Sequence, residues 1–387
     1  MSIRLESKKE CCGCTACESV CSHKAISMRA DTLGFLYPEV DLNKCVECGL
    51  CEKVCQFNHN YYRYDNYDEP KAYSLRLKDT AQLSRSQSGG AFWGIAQYFM
   101  KNGGVVYGAA FEEAWRVTHQ RASNKDELEK LRMSKYVQSD MRGVYKLIKD
   151  DLKRGNEVLF SGTACQVAGL KAYLPQKLHE KLFCVDIICH GVPSPKVWVD
   201  YIKYLEARYK SRITKVCFRD KRFGWHGAKA SFMFADGTEV FSRTSNRLYF
   251  SGYTVRESCS NCYYTNTQRV GDITVGDYWG LPKDSPYEKD ALGVSLVLVN
   301  SNKGKDLFHK VLDKFNYEEV DAGNYMQPQL EYPCKLNPHH KSFVLDYETK
   351  GFLYVAKKYG DLGIQWKLEV FFTQLKKFLK KIVDRLQ

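Results

Sequence analysis

Two runs of cysteine open the chain, Cys11-x2-Cys14-x2-Cys17-x3-Cys21 and Cys45-x2-Cys48-x2-Cys51-x3-Cys55. Three thiolates on a tight turn can cap three irons of one cubane, while the fourth, on the helical turn that follows, reaches a second cubane. The spacing predicts two 4Fe–4S clusters: cluster one on Cys11, Cys14, Cys17 and Cys55, cluster two on Cys45, Cys48, Cys51 and Cys21. Gly13 and Gly49 let backbone amides approach the sulfurs, where hydrogen bonds tune potential. Ser22 and Gln56 stand where proline usually follows the fourth cysteine, a position that only helps to start the next segment. Cys12 reads as a spare small residue. Zinc takes four ligands per site, and two overlapping runs suit it poorly.

Four more cysteines sit at informative places. Cys165 closes Ser161-Gly162-Thr163-Ala164-Cys165-Gln166, and Cys189 opens Cys189-His190-Gly191-Val192-Pro193 after an apolar strand. Ligands gather at the carboxyl ends of strands in an open α/β sheet, so both thiols belong on one edge. With Cys259-x2-Cys262 they could hold a third 4Fe–4S cluster. The alternatives are buried packing for Cys165 and Cys189, and zinc or a redox dithiol for Cys259 and Cys262. Cys184, Cys217 and Cys334 read as packing.

Candidates for a cofactor site follow from glycine turns and cations. Ser86-Gln87-Ser88-Gly89-Gly90 precedes a helix and exposes amides that suit a phosphate or a flavin edge, or else forms a plain turn. Ser134-Lys135-Tyr136-Val137-Gln138-Ser139 sets a cation and a ring beside hydroxyls. Phe218-Arg219-Asp220-Lys221-Arg222-Phe223-Gly224-Trp225-His226 interleaves basic and aromatic residues, fit for nucleotide phosphates, a solvated loop or single-stranded nucleic acid. The cofactor candidates are thus Ser86, Ser88, Gly89, Gly90, Lys135, Tyr136, Ser139, Arg219 and Lys221. His190 and His226 are candidate proton donors to a substrate, or structural histidines. No G-x-G-x-x-G follows a strand, so a standard nicotinamide site is not supported.

The elements that must position these residues alternate after the cysteine-rich start. Strands are expected at 104–111, 157–161, 182–188, 215–218, 272–275 and 293–299, and helices at 91–100, 140–154, 166–173, 196–209 and 303–315. Asp236-Gly237 joins an inserted hairpin of 230–234 and 239–241. The expected fold is an α+β ferredoxin-like two-cluster module, then an α/β domain with a mostly parallel sheet and that hairpin. The divisions are 1–58, a linker at 59–70, 71–330, an extension at 331–365 and a basic amphipathic helix at 366–387. That last segment suits anionic lipid, or else packs on the protein.

The chain has 387 residues and sixteen cysteines, a charged start without an apolar leader, and no apolar run long enough to span a membrane. A reducing, cytoplasmic setting is expected, with peripheral contact at the inner membrane face through 366–387. The net charge of +13 favours an anionic partner such as an acidic electron carrier or a nucleotide cofactor.

At these residues the chain resembles the beta-subunit family of the coenzyme F-420-reducing hydrogenases and dehydrogenases, in the form with an N-terminal bacterial-type ferredoxin. The resemblance rests on Ser86–Gly90, Ser134–Ser139, Ser161–Val167, Cys189–Ser194, Phe218–Trp225, Arg256–Cys262 and Gly276-Asp277-Tyr278-Trp279-Gly280. Ala164 stands where the family usually has proline. The resemblance implies FAD and a 4Fe–4S cluster in 71–330, and so favours Cys165, Cys189, Cys259 and Cys262 as ligands. Coenzyme F-420 itself is a further candidate. Relatives of this form also occur among cell-surface polysaccharide genes. The expectation is an iron–sulfur flavoprotein oxidoreductase that draws electrons from a ferredoxin-type carrier, with no nucleic acid as partner. The alternative is a non-catalytic subunit that feeds a partner enzyme.

Overall fold

The computed structural model describes residues 3–57, 66–227 and 229–363. The basic helix expected at 366–387 and most of the 59–70 linker lie outside the described residues. The last linker residues already lie on the large domain, where Asn66 Nδ2 donates to the carbonyls of Arg269 (2.7 Å) and Gly271 (2.9 Å).

The N-terminal module pairs β1 (Ile26–Ala30) with β2 (Leu36–Val40) antiparallel, and short helices Ala16–Val20 and Leu50–Lys53 follow the two cysteine turns. Asp31 Oδ1 closes the hairpin by accepting from the amides of Leu33 (3.0 Å) and Phe35 (2.9 Å). The hairpin tip is then buried in the large domain. Leu33 and Phe35 pack in one core with Trp198 and Tyr201, and Ser194 Oγ donates to Leu33 O (2.5 Å).

The large domain carries β3 (Lys71–Leu77), β4 (Val105–Phe111), β5 (Val117–Ala122), β6 (Val158–Thr163), β7 (Leu182–Ile187), β8 (Ile213–Cys217), β9 (Ala230–Phe234), β10 (Glu239–Ser242), β11 (Ile273–Asp277), β12 (Ser295–Val299) and β13 (Phe315–Glu319). Eight of these form a sheet in the order β13-β3-β12-β11-β7-β6-β4-β5. Its centre, β11-β7-β6-β4, is parallel, and both flanks are antiparallel. The sheet is therefore mixed, with the expected parallel character confined to its middle. Successive residues on a strand face opposite sides. Val106 and Leu159 pack in one core with Trp93 and Phe99 of helix Ala91–Lys101, while Val105, Tyr107, Val158 and Phe160 pack in another with Ile148 of helix Val144–Lys153 and Val167 of helix Ala164–Tyr173.

Two expectations are corrected. The strand at 215–218 is not part of the main sheet; β8 joins the β9-β10 hairpin in a separate three-stranded sheet. The helix at 303–315 ends at His309, and Phe315 begins edge strand β13, its ring packed so tightly over Gly94 that a Cβ there would lie 2.2 Å away. Among the described residues, no helix is long and apolar enough to cross a membrane.

Candidate functional site

Cys21, Cys45, Cys48 and Cys51, the set assigned to cluster two, line one small cavity together with Ala25, Ile26 and Val40. The amide of Ala25 donates to Cys21 Sγ and that of Ile3 to Cys51 Sγ, both at 3.3 Å. Such amide–sulfur bonds stabilise thiolates. Cys48 is the exposed cysteine of the set. Leu42 (70% exposed), Val46 (57%) and Leu50 (41%) lie in the same stretch of chain. The cluster-one set also comes together. Burial, and then the neighbouring Cys14, Cys11 and Cys55, push the Cys17 thiol well up. Gly13 N–H donates to Cys11 Sγ (3.4 Å).

The third group is larger than the sequence suggests. Cys165, Cys189, Cys259 and Cys262 line one cavity, and Cys12 and Cys334 line it too. Cys12, read as a spare small residue, and Cys334, read as packing, thus both sit beside thiols remote in sequence. Cys184 does sit in the apolar core, where burial pushes its thiol up to about 12.

Local structure explains the convergence. β6 and β7 are adjacent and parallel, so Cys165 and Cys189 leave the sheet on one edge. Thr163 and Gln166 form a capping box that starts helix Ala164–Tyr173 and holds Cys165 in its first turn. A buried ion pair, Arg269 Nη2 to Asp186 Oδ1 at 2.7 Å, ties the loop after Cys262 to β7, and Arg269 also donates to Tyr264 O. Gly191 has φ +102, and a Cβ there would lie 2.9 Å from Val255 Cγ1 and 3.1 Å from Cys334 Sγ. Only glycine lets this turn pass between the cysteine loops.

The donor set fits a cubane. Gly191 N–H donates to Cys189 Sγ (3.3 Å) and Tyr264 N–H to Cys262 Sγ (3.4 Å), and Thr163 Oγ1 lies 3.1 Å from Cys165 Sγ. Burial pushes the Cys189 and Cys259 thiols up, Cys262 to about 12 and Cys334 to about 11. Ligation of a metal here would release the protons these thiols hold.

Beside this group opens a cavity of about 480 Å³, within the range of ligand pockets. Ser86, Ser88, Gly90, Lys135, Tyr136, Ser139 and Arg219 line it, as do His190 and His226. Gly89 and Lys221 do not. Gly89 packs against the sheet, its amide donating to Ser295 Oγ (2.9 Å), and Lys221 Nζ donates to Leu83 O (2.8 Å) and Ser88 O (2.9 Å). Lys221 thus pins the glycine turn from outside. The serine hydroxyls are engaged as well: Ser88 Oγ donates to Val294 O (2.6 Å), and Ser86 Oγ to Gln82 O (2.9 Å). What the turn offers a ligand is backbone, at the start of helix Ala91–Lys101.

Around the cavity, burial pulls Lys135 down to about 7, and its Nζ donates to Lys130 O (3.0 Å) and Arg132 O (2.5 Å). Arg219 Nη1 donates to Asp277 Oδ2 (2.5 Å), while Trp225 Nε1 donates to Asp277 Oδ1 (2.8 Å) and its ring stacks on Trp279 at 5.1 Å. Gln329 Nε2 donates to His190 Nδ1 (2.8 Å), and His226 pairs with Glu288 (2.7 Å). His119, a lone histidine on β5, gives no signal in the sequence yet lines the same cavity. Its Nε2–H donates to Ser161 O (2.9 Å), and Ser139 Oγ–H donates to Nδ1 (2.8 Å) while accepting from Gln166 Nε2 (2.9 Å). Burial pulls its pKa down to about 4, so the ring stays neutral.

Geometry and chemistry define an iron–sulfur protein, with a dicluster module seated on a mixed α/β domain whose strand ends carry further thiols. Residues 10–59 match the family of 4Fe-4S dicluster domains. Residues 155–323 match the C terminus of the coenzyme F420 hydrogenase/dehydrogenase beta subunit. A chain of the F420-reducing NiFe hydrogenase complex from Methanosarcina barkeri is similar at 15% identity, over 75% of this chain and 91% of that one, with a TM-score of 0.46. A comparison with curated proteins finds no match.

Proposed function

We propose that the chain is an iron–sulfur flavoprotein oxidoreductase in which electrons run from cluster two to cluster one, then to a third cluster on Cys165, Cys189, Cys259 and Cys262, and on to FAD. One observation carries the reading. Thr163, Gln166, Cys189, Gly191 and Val192 wall both the thiol-lined cavity and the 480 Å³ cavity, so a cluster in one would meet a flavin in the other. FAD phosphates would lie at the start of helix Ala91–Lys101 and by Lys135, with the ring near Tyr136 and the His119–Ser139 pair. The flavin would turn single electrons into a hydride equivalent for an organic substrate. Coenzyme F420, named in the family's description, is a candidate for that exchange. A role in cell-surface polysaccharide metabolism, and membrane contact through 366–387, rest on the resemblance and on the basic sequence alone.

A ferredoxin-type carrier would deliver electrons at cluster two, where Cys48 is exposed. A second reading, a subunit that hands electrons to a partner enzyme, is favoured by the exposed Trp279 and Phe250 on the cavity wall (both 45%). Stopped-flow mixing with a reduced low-potential ferredoxin separates the two. The enzyme reading expects bleaching of the clusters and then of a bound flavin. Bleaching of clusters with no flavin band in carefully prepared protein overturns it in favour of the subunit.

A further inference from the structure

The third cluster of the proposed route raises the question of how an electron leaves cluster one. Cys12 is buried between the two centres. Its thiol lines the cavity that also holds Cys165, a third-site cysteine, and it stands two residues before Cys14, a cluster-one cysteine, in the same turn. Three side chains fix it there. Gln56, which directly follows Cys55, donates through Nε2 to Cys12 Sγ (3.2 Å) and to Cys165 O (2.7 Å). Gln138 Nε2 donates to Cys12 O (2.8 Å), and Arg256 ties Gln138 Oε1 (3.0 Å) to Cys11 O (2.7 Å).

The helix that begins at Cys165 leaves a gap for this contact. A Cβ on Gly169 would lie 2.8 Å from Cys14 Sγ, so a side chain there would drive cluster one away from the helix. A glutamine in place of the usual proline, a glycine facing Cys14 and a spare cysteine thus serve one seam.

Resting on the third-cluster reading, we propose that Cys12 is the positioning residue of the electron step between cluster one and the third cluster: its thiol packs between Cys14 and Cys165 and bridges them. In the step, reduced cluster one loses one electron and the third cluster gains it. Cys12 is neither oxidised nor deprotonated, and no co-reactant is needed.

The test uses the full chain prepared without oxygen, as wild type, Cys12→Ala, Cys12→Ser and Gly169→Ala. Each is mixed with methyl viologen radical and followed by rapid freeze-quench EPR, alongside iron analysis and potentiometry. The expected result is an iron content equal to wild type, and the measured potentials separate any change in driving force from the change in rate. Cluster one should fill at the normal rate, with the next step slowed several-fold in Cys12→Ala. Cys12→Ser should fall between, and Gly169→Ala should slow the same step with Cys12 intact. An unchanged rate in Cys12→Ala overturns the proposal. So does the loss of about four irons, which would make Cys12 a cluster ligand instead. Wild-type protein with only about eight irons would sink the third-cluster reading itself, and the bridge with it.

Discussion

Replacing Arg256 with methionine should loosen the dicluster module from the large domain. The side chain is fully buried, and its guanidinium donates to three acceptors: Cys11 O (2.7 Å), Leu36 O (2.8 Å) and Gln138 Oε1 (3.0 Å). Two of these acceptors belong to the module and one to the large domain. The guanidinium also lies 4.2 Å from the Tyr37 ring centre. Each buried acceptor left without its donor costs about 1–3 kcal/mol. Relaxation and the removal of a buried charge offset part of that sum, which leaves about 3 kcal/mol. At about 1.4 kcal/mol per tenfold, module opening becomes roughly a hundredfold more frequent. Hydrogen exchange on anoxic protein should then show faster exchange along the 11–14 turn and at the end of β1–β2, with core strands β6 and β7 unchanged. Arg256→Lys, which keeps the charge but not the fork, should fall between. Equal protection in wild type and Arg256→Met would refute the reasoning.

Three other outcomes are expected. Lys135 is protonated below about pH 7 and neutral above it, and a bound phosphate would raise its pKa. FAD affinity, measured by fluorescence quenching, should therefore fall as pH rises through 7, and Lys135→Gln should bind weakly with no such step. Replacing Cys259 and Cys262 together with alanine should lower iron from about twelve to about eight per chain while the EPR of the N-terminal pair persists. Val46→Glu, which puts a charge on the apolar surface near Cys48, should raise the carrier concentration needed for half-maximal cluster reduction in stopped flow, with no change in iron content.

The sequence made legible what is local. Cysteine spacing on a turn reports a cubane because ligand and turn are set within a few residues, and both N-terminal sets come together as spaced. Cys165 and Cys189 were legible because each ends an apolar strand of a parallel pair. Cys12 and Cys334 were not, since their meaning lies in neighbours such as Cys165 and Cys259, far away in the chain. His119 looked ordinary because strand β5 (VTHQRA) has no long apolar run, and its partners Ser139 and Ser161 come from other segments. Lys221 and Gly89 look like ligand groups in sequence, yet tertiary packing turns both away from the cavity. Edge strand β13 (FNYEE) escaped because its residues past Phe315 are exposed and show no buried period.

The central claim is that three cubanes and a flavin share one chain. Iron, acid-labile sulfide and flavin analysis of protein purified without oxygen tests it most directly. The account predicts about twelve irons, about twelve sulfides and about one FAD per chain. A folded protein with about eight irons and no flavin would contradict it.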